Sequence, residues 1–265
     1  MPERRLDLHM HSDRSDGRYP AEEVLRRASL GGLDVIALAD HDLPAVLAAG
    51  DHVVEGRTVR VLAAAEVSGN HDGREFHLLV YFPGKMPEDF SAFLRHRAAL
   101  RAKRYDDAIS ILGVPLPPSD AEAQSGARSL TRHHLFRALM ATGTVTEQEA
   151  WRKLGGSTVV PLIDLTFLDA IRTARAAGAY TSWAHPSLAD AQRHVATFAA
   201  AGLQALEGIR PTLDRSARNG LKKLAKKHHL ALTGGSDWHG WWQGELGQFA
   251  FTGEFADSFS AQLGL

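Results

Sequence analysis

Histidine and carboxylate side chains recur where apolar segments of this chain end, and the first group lies in LDLHMHSDRSDG, residues 6–17. His9 and His11 are separated there by one residue. Because side chains alternate along a strand, both imidazoles point to one side while Met10 points to the other. Two neighbouring imidazoles can share one divalent ion, and imidazole with carboxylate, in a chain without cysteine, suits Zn²⁺, Mn²⁺ or Fe²⁺. The stretch therefore predicts part of a metal site.

The same residue types follow the ends of later apolar segments. They are Asp40, His41, Glu66, His77, His185, Asp237 and His239. Functional residues of barrels built from repeated strand–helix units project from the carboxyl ends of the strands, so we expect these side chains to share one rim. Buried ionisable groups without partners are costly, and a cation is the partner that such a rim requires. Asp16 of the Ser-Asp-Gly turn could simply form the turn, but its place after His9 and His11 favours a ligand.

Alternating strands and helices must position these side chains. Strands are predicted at 6–10, 33–40, 59–68, 75–82, 179–186, 203–210, 230–237 and 247–252. Helices are predicted at 20–30, 43–55, 87–112, 132–142, 146–154, 165–177, 188–201 and 215–228. Repeated strand–helix units imply parallel strands with right-handed crossovers. About seven such strands predict an α/β barrel that is closed or nearly closed on itself.

One segment interrupts this alternation. Residues 84–162 contain no strong strand pattern, and helical signals there surround a proline-rich break, VPLPPSD. We therefore expect the first part of the barrel at 1–83, a helical insertion that contributes to the substrate site at 84–162, and the second part of the barrel at 163–265.

Composition excludes several classes of protein. A formal net charge of −1 gives no global field that would attract long duplex nucleic acid or an acidic membrane. No apolar run approaches the ~20 residues of a membrane span, and the first residues show no signal-peptide pattern. The absence of cysteine fits a reducing compartment. We expect a cytoplasmic monomer.

Five pieces of the sequence resemble, in order, the motifs of the polymerase and histidinol phosphatase (PHP) family of metal-dependent phosphoesterases. They are DLHMHSDRSDGRYP, IALADHD, AEVS followed by FHLLVYF, SWAHP and TGGSDWHG. The insertion, with TRHHLFRAL at 131–139, is similar to a subgroup that contains nucleoside 3′,5′-bisphosphate phosphatases, AMP phosphatases and RNase AM, which degrades short RNAs from the 5′ end.

The resemblance implies a distorted (β/α)7 barrel with a helical insertion and three divalent metal ions. One ion would take His9, His11, Glu66 and Asp237; a second would share Glu66 and add His77 and His185; a third would take Asp16, His41 and His239. Two positions and one segment depart from the family pattern, and they bear on substrate preference. Ala39 replaces a common threonine, and His133 replaces a proline. The segment GIRPTLDRSARN (208–219) lacks a histidine often seen in this region.

A phosphate ester is anionic, so clustered dications cancel its repulsion of an attacking metal-bound hydroxide. The planar fork of arginine matches phosphate oxygens. We expect Arg132 and His134 to contact phosphate, with His134 as a proton donor to the leaving group. Asp40 is expected to orient a metal-binding histidine. Arg101, Arg104 and Arg18 are further candidates for substrate binding, although a helix dense in basic residues is as often a solvated face.

The sequence thus predicts a metal-dependent phosphoesterase that acts on small nucleotides, either a nucleoside 3′,5′-bisphosphate or a monophosphate, or on short oligoribonucleotides. A phosphatase or cyclic phosphodiesterase for another small metabolite, such as histidinol phosphate, is the alternative within the family. An amidohydrolase on a similar barrel would not need Asp16, His41 and His239. A metal-stabilised binding module would not need the full set of ligands.

Overall fold

The computed structural model describes residues 3–155 and 157–265. Its strands are Leu6–Met10 (β1), Val35–Leu38 (β2), Gly50–Val54 (β3), Arg57–His71 (β4), Arg74–Phe82 (β5), Tyr180–Trp183 (β6), Ala205–Ile209 (β7) and Ala231–Gly234 (β8). Its helices are Ala21–Leu30 (α1), Glu88–Leu112 (α2), Ala121–Gln124 (α3), Arg132–Ala141 (α4), Glu147–Leu154 (α5), Phe167–Ala176 (α6), Leu188–Ala200 (α7), Arg215–Lys227 (α8) and Glu254–Leu263 (α9).

Seven strands follow one another in one curled sheet in the order β1-β2-β4-β5-β6-β7-β8, while β3 pairs with β4 outside this path. Parallel pairing joins β1 to β2, β2 to β4, β6 to β7 and β7 to β8. The α/β class and the distorted seven-stranded barrel are therefore confirmed. In the described part of the chain, no helix is long and apolar enough to cross a membrane.

Strand β5 departs from the expected parallel arrangement. It runs antiparallel to both neighbours, β4 and β6. A two-residue turn at Asp72 and Gly73, with φ of 48° and 72°, joins β4 to β5 directly. Positive φ at both central residues is the geometry of a tight hairpin turn. The expectation of parallel strands is wrong here because a hairpin, rather than a helix, makes this connection.

Two further predictions of secondary structure are wrong. The helix expected at 43–55 is replaced by a loop and β3, which forms a hairpin with β4 through a turn at Glu55 and Gly56. The strand expected at 247–252 is reduced to an isolated antiparallel bridge between Phe251 and Leu6. Helix α9 follows this bridge and was not predicted.

One face of the sheet carries an apolar layer that ends where a polar cluster begins. Ala64 of β4 and Leu79 of β5 belong to this layer, together with Phe259 of α9. Because side chains alternate along a strand, Glu66 and His77 continue the same face two residues further on. Apolar packing therefore fills one end of the barrel, and ionisable side chains fill the other.

Helix α2 connects the barrel to the helices between β5 and α6. Its first turns place Phe90 and Leu94 in the core formed by the sheet and its outer helices. Its later turns place Ala102 and Tyr105 in a second apolar cluster, shared with α4 and α5. These helices are thus held by their own core beside the polar end of the barrel.

Candidate metal centre

Nine side chains meet at the carboxyl end of the parallel strands. His9 comes from β1, Glu66 from β4 and His77 from β5, and the others lie in the segments that follow β1, β2, β6 and β8. The full set is His9, His11, Asp16, His41, Glu66, His77, His185, Asp237 and His239.

The first group joins β1 to the loop after β8. The Nε2 atoms of His9 and His11 lie 3.2 Å apart. Oδ1 of Asp237 lies 3.4 Å from Nε2 of His9 and 3.2 Å from Nε2 of His11. Oε2 of Glu66 lies 3.3 and 3.4 Å from the same two nitrogens. Two imidazoles and two carboxylates thus face one point.

A close backbone approach makes this first group possible. A Cβ atom at Gly235 would lie 2.3 Å from Cβ of His9, so only glycine fits beside this ligand. Asp237 itself adopts a left-handed φ of 54°, which is uncommon for a residue with a side chain. The loop after β8 is therefore shaped to bring its carboxylate against β1.

The second group forms around the other oxygen of Glu66. Oε1 of Glu66 lies 3.2 Å from Nδ1 of His77 and 3.0 Å from Nε2 of His185. The two ring nitrogens are 3.3 Å apart. One carboxylate therefore lies between the first and the second group.

The third group forms around Asp16. Its Oδ1 lies 3.3 Å from Nε2 of His239, and its Oδ2 lies 3.6 Å from Nε2 of His41. The other nitrogen of His41, Nδ1, lies 3.1 Å from Oε2 of Glu66. The three groups are thus contiguous, and Glu66 and His41 link them.

The chemistry of these donors fits divalent cations. Nδ1 of His41 and Oε2 of Glu66 are buried and have no hydrogen-bond partner, which is costly unless an ion binds them. Burial acts to raise the pKa of Glu66, but the surrounding histidines outweigh it and hold that pKa well below its ordinary value. An ionised carboxylate among imidazole nitrogens is a ligand set that Zn²⁺, Mn²⁺ and Fe²⁺ accept.

Glu207 is a functional residue that the sequence analysis missed. Its Oε1 lies 2.9 Å from Nδ1 of His9, and its Oε2 accepts a hydrogen bond of 2.6 Å from the backbone N–H of His185. Both Glu207 and His9 are fully buried. A carboxylate on Nδ1 fixes the imidazole tautomer and leaves Nε2 free to bind a metal. A buried glutamate in a predicted strand, as at Glu66, was the signal that could have found it.

Asp40 acts on the loop after β1. Its carboxylate accepts hydrogen bonds from the backbone N–H and the hydroxyl of Ser12, at 2.8 and 2.6 Å, and from the hydroxyl of Ser15 at 2.6 Å. Ser15 Oγ lies 3.5 Å from Nδ1 of His11. Asp40 thus reaches a histidine through Ser15, and it holds the turn that carries Asp16.

A cleft of about 540 Å³ opens above the second and third groups. Metal-group side chains form one part of its lining, and side chains of α2, α4 and α5 form another. Its principal residues are Asp16, His41, His77, His239, Glu75, Arg101, Arg104, Arg132, His133, Trp151 and Trp242.

Three arginines of this cleft have internal partners. Arg101 is 4% exposed, and its Nε donates to Oδ2 of Asp42 at 2.5 Å. Arg104 donates to Oε2 of Glu75 at 2.5 Å. Arg132 donates from Nη1 to the carbonyl of Leu154, and its Nη2 lies 3.8 Å from Glu75. Arg132 is 30% exposed and is therefore the most accessible of the three.

His134 and Arg18 line a smaller neighbouring cleft of about 390 Å³. Nδ1 of His134 accepts the backbone N–H of Thr131 and caps α4. Burial lowers the pKa of His134 to about 4, so the ring is neutral at pH 7, which argues against proton donation by an imidazolium. The neighbouring residue His133 lines both clefts, and its ring centroid lies 5.6 Å from that of Trp242.

Known proteins resemble this chain over most of its length. It is 30% identical over 250 residues to the phosphoribosyl 1,2-cyclic phosphate 1,2-diphosphodiesterase of Eggerthella lenta. The aligned region covers 88% of this chain and 94% of that protein. It is 28% identical over 253 residues to a 5′-3′ exoribonuclease of Haemophilus influenzae, with 90% and 92% covered. A 3′,5′-nucleoside bisphosphate phosphatase of Chromobacterium violaceum is 26% identical over 253 residues, with 88% and 87% covered. No family model matches the chain.

Solved structures share the fold. A protein of Bifidobacterium adolescentis described as a metal-dependent phosphoesterase superposes with a TM-score of 0.76 at 23% identity, over 98% of this chain and 97% of that one. A Chromobacterium violaceum protein described as an amidohydrolase with bound sulfate superposes with a TM-score of 0.70 at 22% identity, over 94% of this chain and 91% of that one. Together with the sequence relatives and the clustered ligands, these findings show that the chain belongs to the PHP family of metal-dependent phosphoesterases and is a phosphoric ester hydrolase.

Proposed function

We propose that this enzyme hydrolyses phosphate esters of small nucleotides, namely nucleoside 3′,5′-bisphosphates or monophosphates, and short oligoribonucleotides from the 5′ end. The observation that carries the proposal is the cleft above the metal groups, which combines guanidinium groups with the exposed indole of Trp242. Arginine suits phosphate oxygens, and an aromatic face can stack on a base. The names of the Haemophilus influenzae and Chromobacterium violaceum relatives support the same substrate class.

The proposal includes three divalent ions, drawn from Mn²⁺, Fe²⁺ and Zn²⁺. The first group of ligands, the second group and the third group would each hold one ion, with Glu66 shared between two of them. When bound, such ions neutralise phosphate charge and lower the pKa of a coordinated water towards ~7.

The remaining residues bind and orient. Arg132 is the candidate for contact with the scissile phosphate because it is the most accessible of the three arginines that α2 and α4 contribute to the cleft. Arg101 and Arg104 add positive charge behind it while their carboxylate partners hold them in place. Glu207 fixes the ring of His9, and Asp40 fixes the turn that carries Asp16.

A second candidate is hydrolysis of a small cyclic phosphodiester or another phosphorylated metabolite. The Eggerthella lenta relative, which is 30% identical, favours it. The same groups of ligands would serve either ester, so the choice lies with the organic part of the substrate.

Turnover of a substrate panel in the presence of Mn²⁺ tests the proposal. The panel contains AMP, adenosine 3′,5′-bisphosphate, ribonucleotides of two to five residues, ribose 1,2-cyclic phosphate and p-nitrophenyl phosphate. We expect the nucleotides to have the highest kcat/KM, and Asp16→Asn to abolish turnover. Asp72→Asn, at the exposed hairpin turn, is the matched control and should keep full activity. Preference for the cyclic phosphate would select the second candidate, and a metal-loaded protein without phosphate release would contradict both.

A further inference from the structure

A second cavity lies beside the metal groups and is separate from the cleft described above. Its volume is about 610 Å³, and segments that follow β7 and β8 form most of its wall. His185, Asp237 and His239 line it, so it reaches ligands of all three metal groups. A molecule bound there would contact the metal centre from a side that the insertion does not cover.

Arg210 is the cationic residue of this cavity that the proposed mechanism does not use. It lines the cavity and is only 8% exposed. Its Nη2 donates to the carbonyl of Pro186 at 3.0 Å, directly after the ligand His185. Its Nε and Nη1 are buried and have no hydrogen-bond partner, and within the described residues no carboxylate forms an ion pair with it.

A buried guanidinium with two unpartnered nitrogens is costly, because a charged donor without an acceptor loses its full hydration. Burial lowers the pKa of Arg210, whereas Glu207 and Asp237 act to raise it from beyond ion-pair distance. An anion with several oxygens would supply the missing acceptors. The position of Arg210 therefore indicates an anion-binding subsite next to the metal centre.

Apolar side chains complete the cavity. Pro211, Trp238 and Phe249 line it, and Trp242 lies where this cavity and the cleft above the metal groups meet. Trp242 is 68% exposed, so its indole is available to a ligand. An arginine beside aromatic walls fits the phosphate, ribose and base of a nucleotide.

We infer that Arg210 is a specificity-determining residue that binds a second phosphate group of the substrate while the first is hydrolysed at the metal centre. The inference rests on the proposed function for the identity of the substrate. It predicts that esters with two phosphates, such as a nucleoside 3′,5′-bisphosphate or a dinucleotide, are preferred over esters with one. Arg210 then acts on one class of substrate and leaves the chemistry of the scissile phosphate unchanged.

Kinetics with paired substrates test the inference. Arg210→Gln should lower kcat/KM for adenosine 3′,5′-bisphosphate about 10- to 100-fold, mainly through KM, since a hydrogen bond to a charged group has this magnitude. The kcat/KM for p-nitrophenyl phosphate should stay within about twofold. Arg210→Lys should fall between the wild type and Arg210→Gln for the bisphosphate. Arg172→Gln, an exposed change on α6, is the matched control and should affect neither substrate.

Binding to the metal-free protein separates this inference from the proposed function. We expect calorimetry in EDTA to show adenosine 3′,5′-bisphosphate bound at least tenfold more weakly by Arg210→Gln, with adenosine unaffected. If the wild type hydrolyses no nucleotide, the proposed function fails while this binding difference still tests Arg210. Equal loss on both esters, or unchanged binding and unchanged kcat/KM, would overturn the inference.

Discussion

The Nδ1 atom of His9 lies 2.9 Å from Oε1 of Glu207, deep in the barrel, and the other oxygen of the same carboxylate accepts the backbone N–H of His185. One buried carboxylate thus positions two candidate metal ligands that are 176 positions apart in sequence (185 − 9). The ligands of the first and second metal groups therefore depend on a residue that need not touch an ion.

Glu207→Gln should lower metal affinity and activity about 10- to 100-fold, the usual effect of removing such a supporting contact. Glutamine offers one acceptor oxygen, whereas His9 and His185 present two N–H groups. Titration with Mn²⁺, followed by the recovery of phosphatase activity, measures the change. Glu88→Gln, on the exposed end of α2, is the control, and equal metal affinity in both variants would contradict the role given to Glu207.

Arg101 should contribute more to stability than to substrate binding. Arg101→Met leaves the buried carboxylate of Asp42 without its partner, and we expect the free energy of unfolding to fall by about 3 kcal/mol. Urea denaturation measures this change. Lys103→Met removes an exposed charge from the same helix and should have little effect. A normal stability with a raised KM would show instead that Arg101 serves the substrate.

The low pKa of His134 predicts a specific dependence of stability on pH. Burial lowers this pKa from 6.5 to about 4, so between these values the unfolded chain binds a proton that the folded chain does not. Stability from this group is therefore complete above pH 6.5 and is lost as the pH falls towards 4. His134→Gln keeps a capping side chain without the titration.

When the pH falls from 7.5 to 4.5, we expect the wild type to lose about 2 kcal/mol more of its free energy of unfolding than His134→Gln loses. Urea unfolding of both proteins in EDTA at the two pH values gives this difference, since the metal-binding histidines titrate in both. His96→Gln, at an exposed position of α2, is the control for the loss of a histidine. Parallel pH profiles for His134→Gln and the wild type would refute the assignment.

Removal of metal should destabilise the fold, because the three groups hold buried carboxylates together and leave Nδ1 of His41 and Oε2 of Glu66 without a hydrogen-bond partner. A ligand present at 100 times its Kd adds about 2.7 kcal/mol to the free energy of unfolding. Calorimetric melting with EDTA, and after readdition of Mn²⁺, measures the difference. A Tm that does not change with metal would contradict the account of these side chains as ligands.

The nine candidate ligands named from the sequence lie together in the structure, and the signal that pointed to them is local. Most of these residues follow or end an apolar segment whose strand points to this rim. His77 instead lies near the start of β5, and the antiparallel direction of that strand brings it to the same rim. His9 and His11 illustrate this, since their spacing alone sets the direction of both rings. Glu207 is also a glutamate in a predicted apolar strand, but its contacts with His9 and His185, which are distant in sequence, are visible only in the structure.

Connections were harder to predict than the strands themselves. The repeated strand–helix pattern predicts parallel strands, yet the short turn at Asp72 and Gly73 makes β5 antiparallel to β4. The sequence predicts a helix at 43–55, yet pairing of β3 with β4 makes residues 50–54 a strand. Tertiary pairing outweighs local propensity in such short segments.

Substrate contacts were the least predictable part of the site. The sequence predicts that Arg101 and Arg104 bind phosphate, but their side chains are paired with Asp42 and Glu75 of the barrel. Arg210 carries no motif at all, and only its burial and its two unpartnered nitrogens draw attention to it. These properties depend on what the fold places opposite a side chain.

Anomalous diffraction from crystals of the Mn²⁺-loaded protein tests the central claim most directly. The account predicts three peaks, one beside His9 and His11, one beside His77 and His185, and one beside Asp16, with Glu66 as a ligand of two ions. Crystals that contain Mn²⁺ only at residues outside these groups, or none at all, would contradict it.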